Sequence, residues 1–138
     1  MCLLIHIRAD DIPKQQAGSV TKQANEAAGV HLDALRQPKS EEGSLFSLGQ
    51  GCACEFLADE ADWNEPFYRL DLEQVESIEK TLGIIHEASN GGKFSIHAEW
   101  VGEPAVRRLS RPRSVSFAEL LKDIRQARIA NGVTYNVS

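Results

Sequence analysis

The sequence lacks the features that would place it at once in a fibrous, secreted or membrane class. It has no apolar run near the roughly 18 residues that a membrane-spanning helix requires, so it predicts no membrane partner. Three cysteines in 138 residues are too few for a disulfide scaffold, and ten glycines exclude a collagen-like repeat. An odd cysteine count and the absence of a basic signal region predict a reducing, cytoplasmic location.

The sequence also lacks the common catalytic and cofactor motifs. It contains no phosphate-binding glycine loop, no dinucleotide fingerprint, no serine-hydrolase elbow and no zinc-finger or calcium-loop spacing. These absences favour a protein that is not an enzyme and that binds no cofactor.

What the sequence does contain is the composition of an ordinary globular protein. Hydrophobic residues make up 42% and charged residues 25% of the chain, which at this length predicts a single domain over residues 1–138. Strand and helix patterns mix along the chain. They predict an α+β fold with a mixed or antiparallel sheet of about five strands and two or three helices packed mainly on one face.

Four local patterns support this fold class. A strand is predicted over Met1–Arg8, and a half-buried strand over Phe94–Val101, where apolar and polar residues alternate. A helix is predicted from Asp71 to about Asn90, with Leu72 on its apolar stripe. Another is predicted to follow Ser116, because Glu119 three residues later completes a capping box.

Two further predictions rest on weaker patterns. A helix is expected over Ser19–Ala28, capped by Ser19. Leu45–Leu48 and Cys52–Leu57 flank Gly49-Gln50-Gly51, a spacing typical of a hairpin with a three-residue loop.

Charge is distributed unevenly. Acidic residues outnumber basic ones by 20 to 15, and the net charge of −5 argues against a nucleic-acid partner. Four arginines nevertheless lie within seven residues of one predicted loop: Arg107, Arg108, Arg111 and Arg113. This loop leads into the predicted Ser116 helix, and helix N-termini attract anions, so a small-anion sensor is one alternative function.

An acidic segment rich in aromatic residues precedes the Asp71 helix. Four acidic residues accompany Trp63, Phe67 and Tyr68, and aromatic anchors surrounded by charge are typical of protein-binding patches. Together with the arginines, this segment makes a non-catalytic protein-interaction or regulatory domain the leading hypothesis.

The cysteines and histidines offer a second alternative, a metal-binding protein or small enzyme built on Cys52, Cys54, His6 and His97. The C-x-C spacing is a weak zinc signal, and free cysteines more often pack as small core residues. His97 and Glu99 share one face of the predicted strand, where they would suit an acid–base pair.

Overall fold

The structure is a computed structural model that describes residues 2–50, 52–58, 65–101 and 111–138. In these ranges the α-helices are α1 (Lys14–Ala28), α2 (Val75–Ala88) and α3 (Phe117–Arg125). The strands are β1 (Cys2–Ala9), β2 (Leu32–Ala34), β3 (Ser44–Leu48), β4 (Phe67–Arg69), β5 (Phe94–Val101), β6 (Arg111–Val115), β7 (Arg128–Ala130) and β8 (Val133–Val137). Single 3₁₀ turns occur at Cys54–Phe56, Leu72–Gln74 and Asn90–Gly92.

Six of these strands form one mixed sheet in the order β2-β3-β1-β5-β8-β6. All neighbours in it are antiparallel except β6 and β8, which are parallel, and β4 and β7 form a separate antiparallel pair. The predicted α+β class with a mixed sheet is therefore confirmed. The sheet has one strand more than expected, because β2 and β6 belong to it and the predicted strand over Cys52–Leu57 does not.

The two faces of the sheet differ in character. On β1, Leu3, Ile5 and Ile7 are buried in the hydrophobic core, and buried residues of all three helices belong to the same cluster. Leu4, His6 and Arg8 lie on the opposite face and are only partly buried. The helices thus pack on one face, as predicted, and we call the other side the open face.

The predicted caps at Ser116 and Asp71 are present. Ser116 Oγ accepts a hydrogen bond from the Glu119 amide at 3.1 Å, and Glu119 Oε1 accepts one from the Ser116 amide at 3.2 Å, which completes the capping box of α3. Asp71 Oδ1 accepts from the Glu73 amide at 3.0 Å. The chain makes a 3₁₀ turn there, and the regular helix α2 begins only at Val75.

The predicted start of α1 and the predicted hairpin are wrong. Helix α1 begins five residues before Ser19, directly after Pro13, whose ring fixes φ near a helix-compatible value. The described residues Cys52–Leu57 do not pair with β3, which lies between β1 and β2. Instead the Ala53 amide donates to the Leu3 carbonyl at 2.7 Å, and the chain enters a 3₁₀ turn.

Strand β6 forms one edge of the sheet. The Arg111 amide donates to the Gly132 carbonyl, and the Val115 carbonyl accepts from the Ser138 amide. Because bonding residues alternate along a parallel strand, Pro112 and Ser114 direct their backbone polar groups away from β8. The expected arginine loop is therefore partly a strand, and its register is set by β8.

None of the helices in the described ranges combines the length and the apolar character that crossing a bilayer requires.

Candidate functional site

A groove lies beside the β4–β7 pair, and we call it the β4–β7 groove. It is a cleft of about 470 Å³ between the turn that precedes α2 and the segment that follows α3. Its lining consists of Ala58, Glu65, Phe67, Arg69, Leu70, Leu72, Gln126, Ala127 and Arg128.

The apolar part of the groove is built from both strands and from the turn before α2. Phe67 is half-buried, and the Arg128 guanidinium lies 4.6 Å from its ring centre, within the range of a cation–π contact. Leu72 is a large hydrophobic residue, yet it is 77% exposed. It was predicted to lie on the buried stripe of α2, but the 3₁₀ turn rotates it away from that stripe.

The charged residues at the groove form two arginine–carboxylate pairs. Arg69 Nε lies 3.6 Å from Glu65 Oε2, and Arg128 Nη2 lies 3.6 Å from Asp123 Oδ1. Asp123 is itself buried, and its Oδ2 accepts from the Tyr135 hydroxyl at 2.9 Å. The groove therefore presents two guanidinium groups that are about half exposed, and each of them has a carboxylate neighbour.

The structure separates the aromatic residues predicted for a binding patch. Phe67 lines the groove, whereas Tyr68 is only 1% exposed and donates its hydroxyl to Asn131 Oδ1 at 2.8 Å. Successive residues of a strand point to opposite faces, so Phe67 and Tyr68 cannot share one surface. Trp63 lies outside the described residues.

The predicted arginine cluster is only partly described. Arg107 and Arg108 lie outside the described residues, and Arg111 and Arg113 are exposed on β6. Glu119 occupies the start of α3, where hydrogen bonds from Ser116 and the charge of Arg113 lower the pKa of its carboxyl group. The helix terminus thus already holds a carboxylate at the place where a bound anion would be expected.

The open face carries a second polar cluster. Strand pairing places Ser47, His6, His97 and Thr134 in one row across β3, β1, β5 and β8. His97 and Glu99 are only 20% and 27% exposed, and His97 Nε2 lies 3.5 Å from Glu99 Oε2. Thr134 Oγ1 lies 3.3 Å from the other ring nitrogen of His97, Nδ1. The predicted neighbourhood of His97 and Glu99 is therefore present.

The electrostatics of His6 follow from its position in this row. Partial burial lowers its pKa from the ordinary value of 6.5, the charge of Glu99 opposes this shift, and His97 adds to it. The neutral imidazole is therefore the favoured form of His6 near neutral pH.

The two histidines lie together, but the structure gives the cysteines other surroundings. Cys54 packs against the hydrophobic core, and its Sγ accepts from the Leu3 amide at 3.3 Å. Cys52 is half-buried in the turn before it. In the part of the chain that the structure describes, no group of three or more His, Cys, Asp or Glu side chains is placed to hold a metal ion.

Fold and sites together define an α+β protein with a helix-covered sheet face, an open polar face and a lateral groove. No protein-family model, no curated protein and no solved structure matches the chain.

Sequence reasoning missed Leu72, Arg128 and Thr134 as site residues. Leu72 follows the capping Asp71 directly, and a residue in the first turn need not share the stripe of the following helix. Thr134 lies in a strand that was predicted, but only the pairing of β8 with β5 places it beside His97. Nothing in the local sequence indicates that pairing.

Proposed function

We propose that this protein is a protein-interaction domain whose β4–β7 groove receives an apolar side chain of a partner segment with flanking carboxylates. The observation that carries the proposal is the 77% exposure of Leu72 at an apolar groove that also contains Phe67. No step of catalysis is assigned to this groove.

Burial of apolar surface supports the apolar half of the proposal. Covering a Leu side chain completely contributes about 1.5–3 kcal/mol, and Phe67 offers further apolar surface on the same side. The Arg128 guanidinium holds the Phe67 ring from above, so the ring is positioned before a partner arrives. A preordered aromatic surface costs less conformational entropy on binding.

Charge supports the acidic half of the proposal. Arg69 and Arg128 are roughly half exposed at the groove, and each has a carboxylate neighbour at 3.6 Å. The protein as a whole is acidic, so an acidic partner is repelled except where exposed guanidinium groups such as these can pair with its carboxylates. Complementary charge then selects the docking position and increases the association rate.

Peptide titration tests this proposal. The probes are short peptides with one central Leu or Phe flanked by Glu, and matched peptides flanked by Lys. We expect Glu-flanked peptides to shift the amide resonances of residues 67–72 and 126–128 in the ¹⁵N-labelled protein. We expect Lys-flanked peptides to bind at least about 10-fold more weakly, the equivalent of about 1.4 kcal/mol.

Matched variants locate the binding site. Leu72→Gln and Arg69→Gln should each weaken binding of the Glu-flanked peptide while leaving the thermal unfolding midpoint nearly unchanged. The controls are Leu35→Gln and Arg36→Gln, which alter partly buried or exposed residues that do not line the groove. Equal binding of both peptide series, or resonance shifts outside the groove, would contradict the proposal.

The proposal retains two expectations from the sequence, a cytoplasmic location and the absence of a nucleic-acid partner. The net charge of −5 supports the second. The first rests on the odd cysteine count. Fractionation of cells that express a tagged full chain checks the location.

A further inference from the structure

The contacts of His97 form a chain of three side chains across two strands. Its Nδ1 lies 3.3 Å from the Thr134 hydroxyl on β8, and its Nε2 lies 3.5 Å from the Glu99 carboxylate on β5. The Val133 carbonyl is also near Nδ1, at 3.4 Å. A hydroxyl, an imidazole and a carboxylate thus lie in the order that activates a nucleophile in many hydrolases.

The carboxylate selects the tautomer of the neutral ring. If Nδ1 carried the proton and donated it to Val133, the lone pair of Nε2 would face the negative Glu99 and repel it. With the proton on Nε2, the ring donates to Glu99, and Nδ1 is left as an acceptor for the Thr134 hydroxyl. This second arrangement satisfies the contacts with Glu99 and Thr134 at the expense of the contact with the Val133 carbonyl, and it directs the Thr134 proton towards a base.

The side chains that face His97 allow it to act as a base. The groups that face His97 are His6 from β1, Glu99 from its own strand and Thr134 from β8. Burial lowers the pKa of His6, so a cationic His6 does not oppose proton uptake by His97 near neutral pH. Half-burial of His97 and Glu99 strengthens their interaction compared with that of a fully solvated pair.

A cavity of about 520 Å³ lies beside the row of Thr134 and His97, and neither of these two residues lines it. Its lining includes Ser95 and Asn136, which are each two residues from His97 and Thr134 on the same strands, and the charged residues Arg8, Asp10, Asp11 and Lys93. A separation of two residues along a strand is about 7 Å, the length of a short acyl group. Both side chains offer hydrogen-bonding groups to a polar substrate.

We propose that Thr134, His97 and Glu99 form a hydrolytic site for small acyl esters on the open face, separate from the β4–β7 groove. Thr134 is the nucleophile, His97 is the base, and Glu99 is a positioning residue that fixes the His97 tautomer. This activity does not depend on the proposed interaction at the groove.

The reaction proceeds in two steps, acylation of Thr134 and hydrolysis of the acyl group. The Thr134 oxygen bonds to the ester carbonyl carbon while His97 Nδ1 takes the hydroxyl proton. The ester C–O bond then breaks, and the leaving alkoxide takes that proton to become an alcohol. Water next gives a proton to His97 and attacks the acyl carbon, and the released Thr134 oxygen recovers the proton as the carboxylic acid departs.

Covalent labelling of the full chain with an alkyl fluorophosphonate tests the site directly. In this reaction the nucleophilic oxygen bonds to phosphorus, fluoride leaves, and the base takes the hydroxyl proton. We expect one adduct, located on Thr134 by peptide mass spectrometry. His97→Gln should slow labelling about 100-fold or more, since a general base commonly contributes at least that factor.

Further variants separate activation from simple exposure of a hydroxyl group. Thr134→Ser should retain labelling, Thr134→Val should abolish it, and Glu99→Gln should give an intermediate rate, with circular dichroism confirming that each variant is folded. Thr21 is the internal control, because its hydroxyl bonds to the Gly18 carbonyl and not to an imidazole. An unlabelled Thr134 under conditions that label a serine hydrolase overturns the proposal, and so does a Thr134 adduct that forms equally fast in His97→Gln.

Discussion

The two faces of the six-stranded sheet show how one alternating sequence serves two purposes. On β5, Phe94, Ile96 and Ala98 are buried among the helices, while the residues between them remain partly accessible on the open face. The helix-covered face provides most of the hydrophobic stabilisation, so the open face can hold titratable side chains that contribute little to the core. The residues that stabilise the fold and the titratable side chains thus lie on opposite sides of the same strands.

The largest expected difference between the two faces concerns neighbouring residues of β1. We expect Ile5→Ala to lower the free energy of unfolding by about 3 kcal/mol, because it removes a fully buried side chain and leaves a cavity. Leu4→Ala, on the open face, should cost about 1 kcal/mol, because that side chain is only partly buried. Urea unfolding measures both, and similar costs would show that the open face is also a packed core.

A second pair of neighbours lies on β8. Tyr135→Phe removes a hydroxyl that donates to buried Asp123 and accepts from the Ala130 amide at 3.0 Å, so we expect a cost of about 1–3 kcal/mol. Thr134→Val, on the open face, should change the free energy of unfolding by less than about 1 kcal/mol.

Tyr135 also predicts a dependence on alkaline pH. Burial raises the pKa of Tyr135 to about 12, above the ordinary value of 10.0. The folded state therefore holds the Tyr135 proton more tightly than the unfolded state does. The protonated hydroxyl contributes fully to the free energy of unfolding below pH 10, and this contribution is lost as the pH rises towards 12. Denaturation midpoints over this range should fall less steeply in Tyr135→Phe, and an unchanged slope would contradict the assignment.

The smallest expected effect belongs to His6 on the open face. Its pKa is lower in the folded state, so the unfolded state binds more protons and stability falls as the pH drops below about 6.5. His6→Gln should flatten this acid dependence, measured by thermal unfolding between pH 7 and pH 5. The unmodified protein, measured in the same buffers, is the reference, and an equally steep acid dependence in His6→Gln would contradict the assignment.

Local patterns predicted those parts of the fold that depend on near neighbours. The alternation over Phe94–Val101 and the capping box at Ser116 were confirmed because each depends on residues that are close in sequence. Phe67, which was predicted to belong to a binding patch, lines the β4–β7 groove, but the same reasoning did not apply strand alternation to Tyr68.

The errors arose where distant segments decide the outcome. The segment Arg111–Val115 contains Pro and Arg, which rarely favour strands, yet it is held as β6 by parallel pairing with β8. The segment Cys52–Leu57 has a strand-like composition. Its Ala53 amide nevertheless forms a single backbone hydrogen bond with β1, and the chain then enters a 3₁₀ turn. The cluster around His97 likewise depends on the strand order, which no short stretch of sequence encodes.

Pro112 has a consequence for how molecules of this protein meet one another. Its nitrogen carries no hydrogen, so the outward side of β6 offers a reduced set of donors to any strand that approaches it. At the far margin, β2 is only three residues long and gives an incoming strand little length to pair with. In the described part of the chain, both ends of the sheet thus offer little to a further strand, and we expect this to limit edge-to-edge aggregation at high concentration.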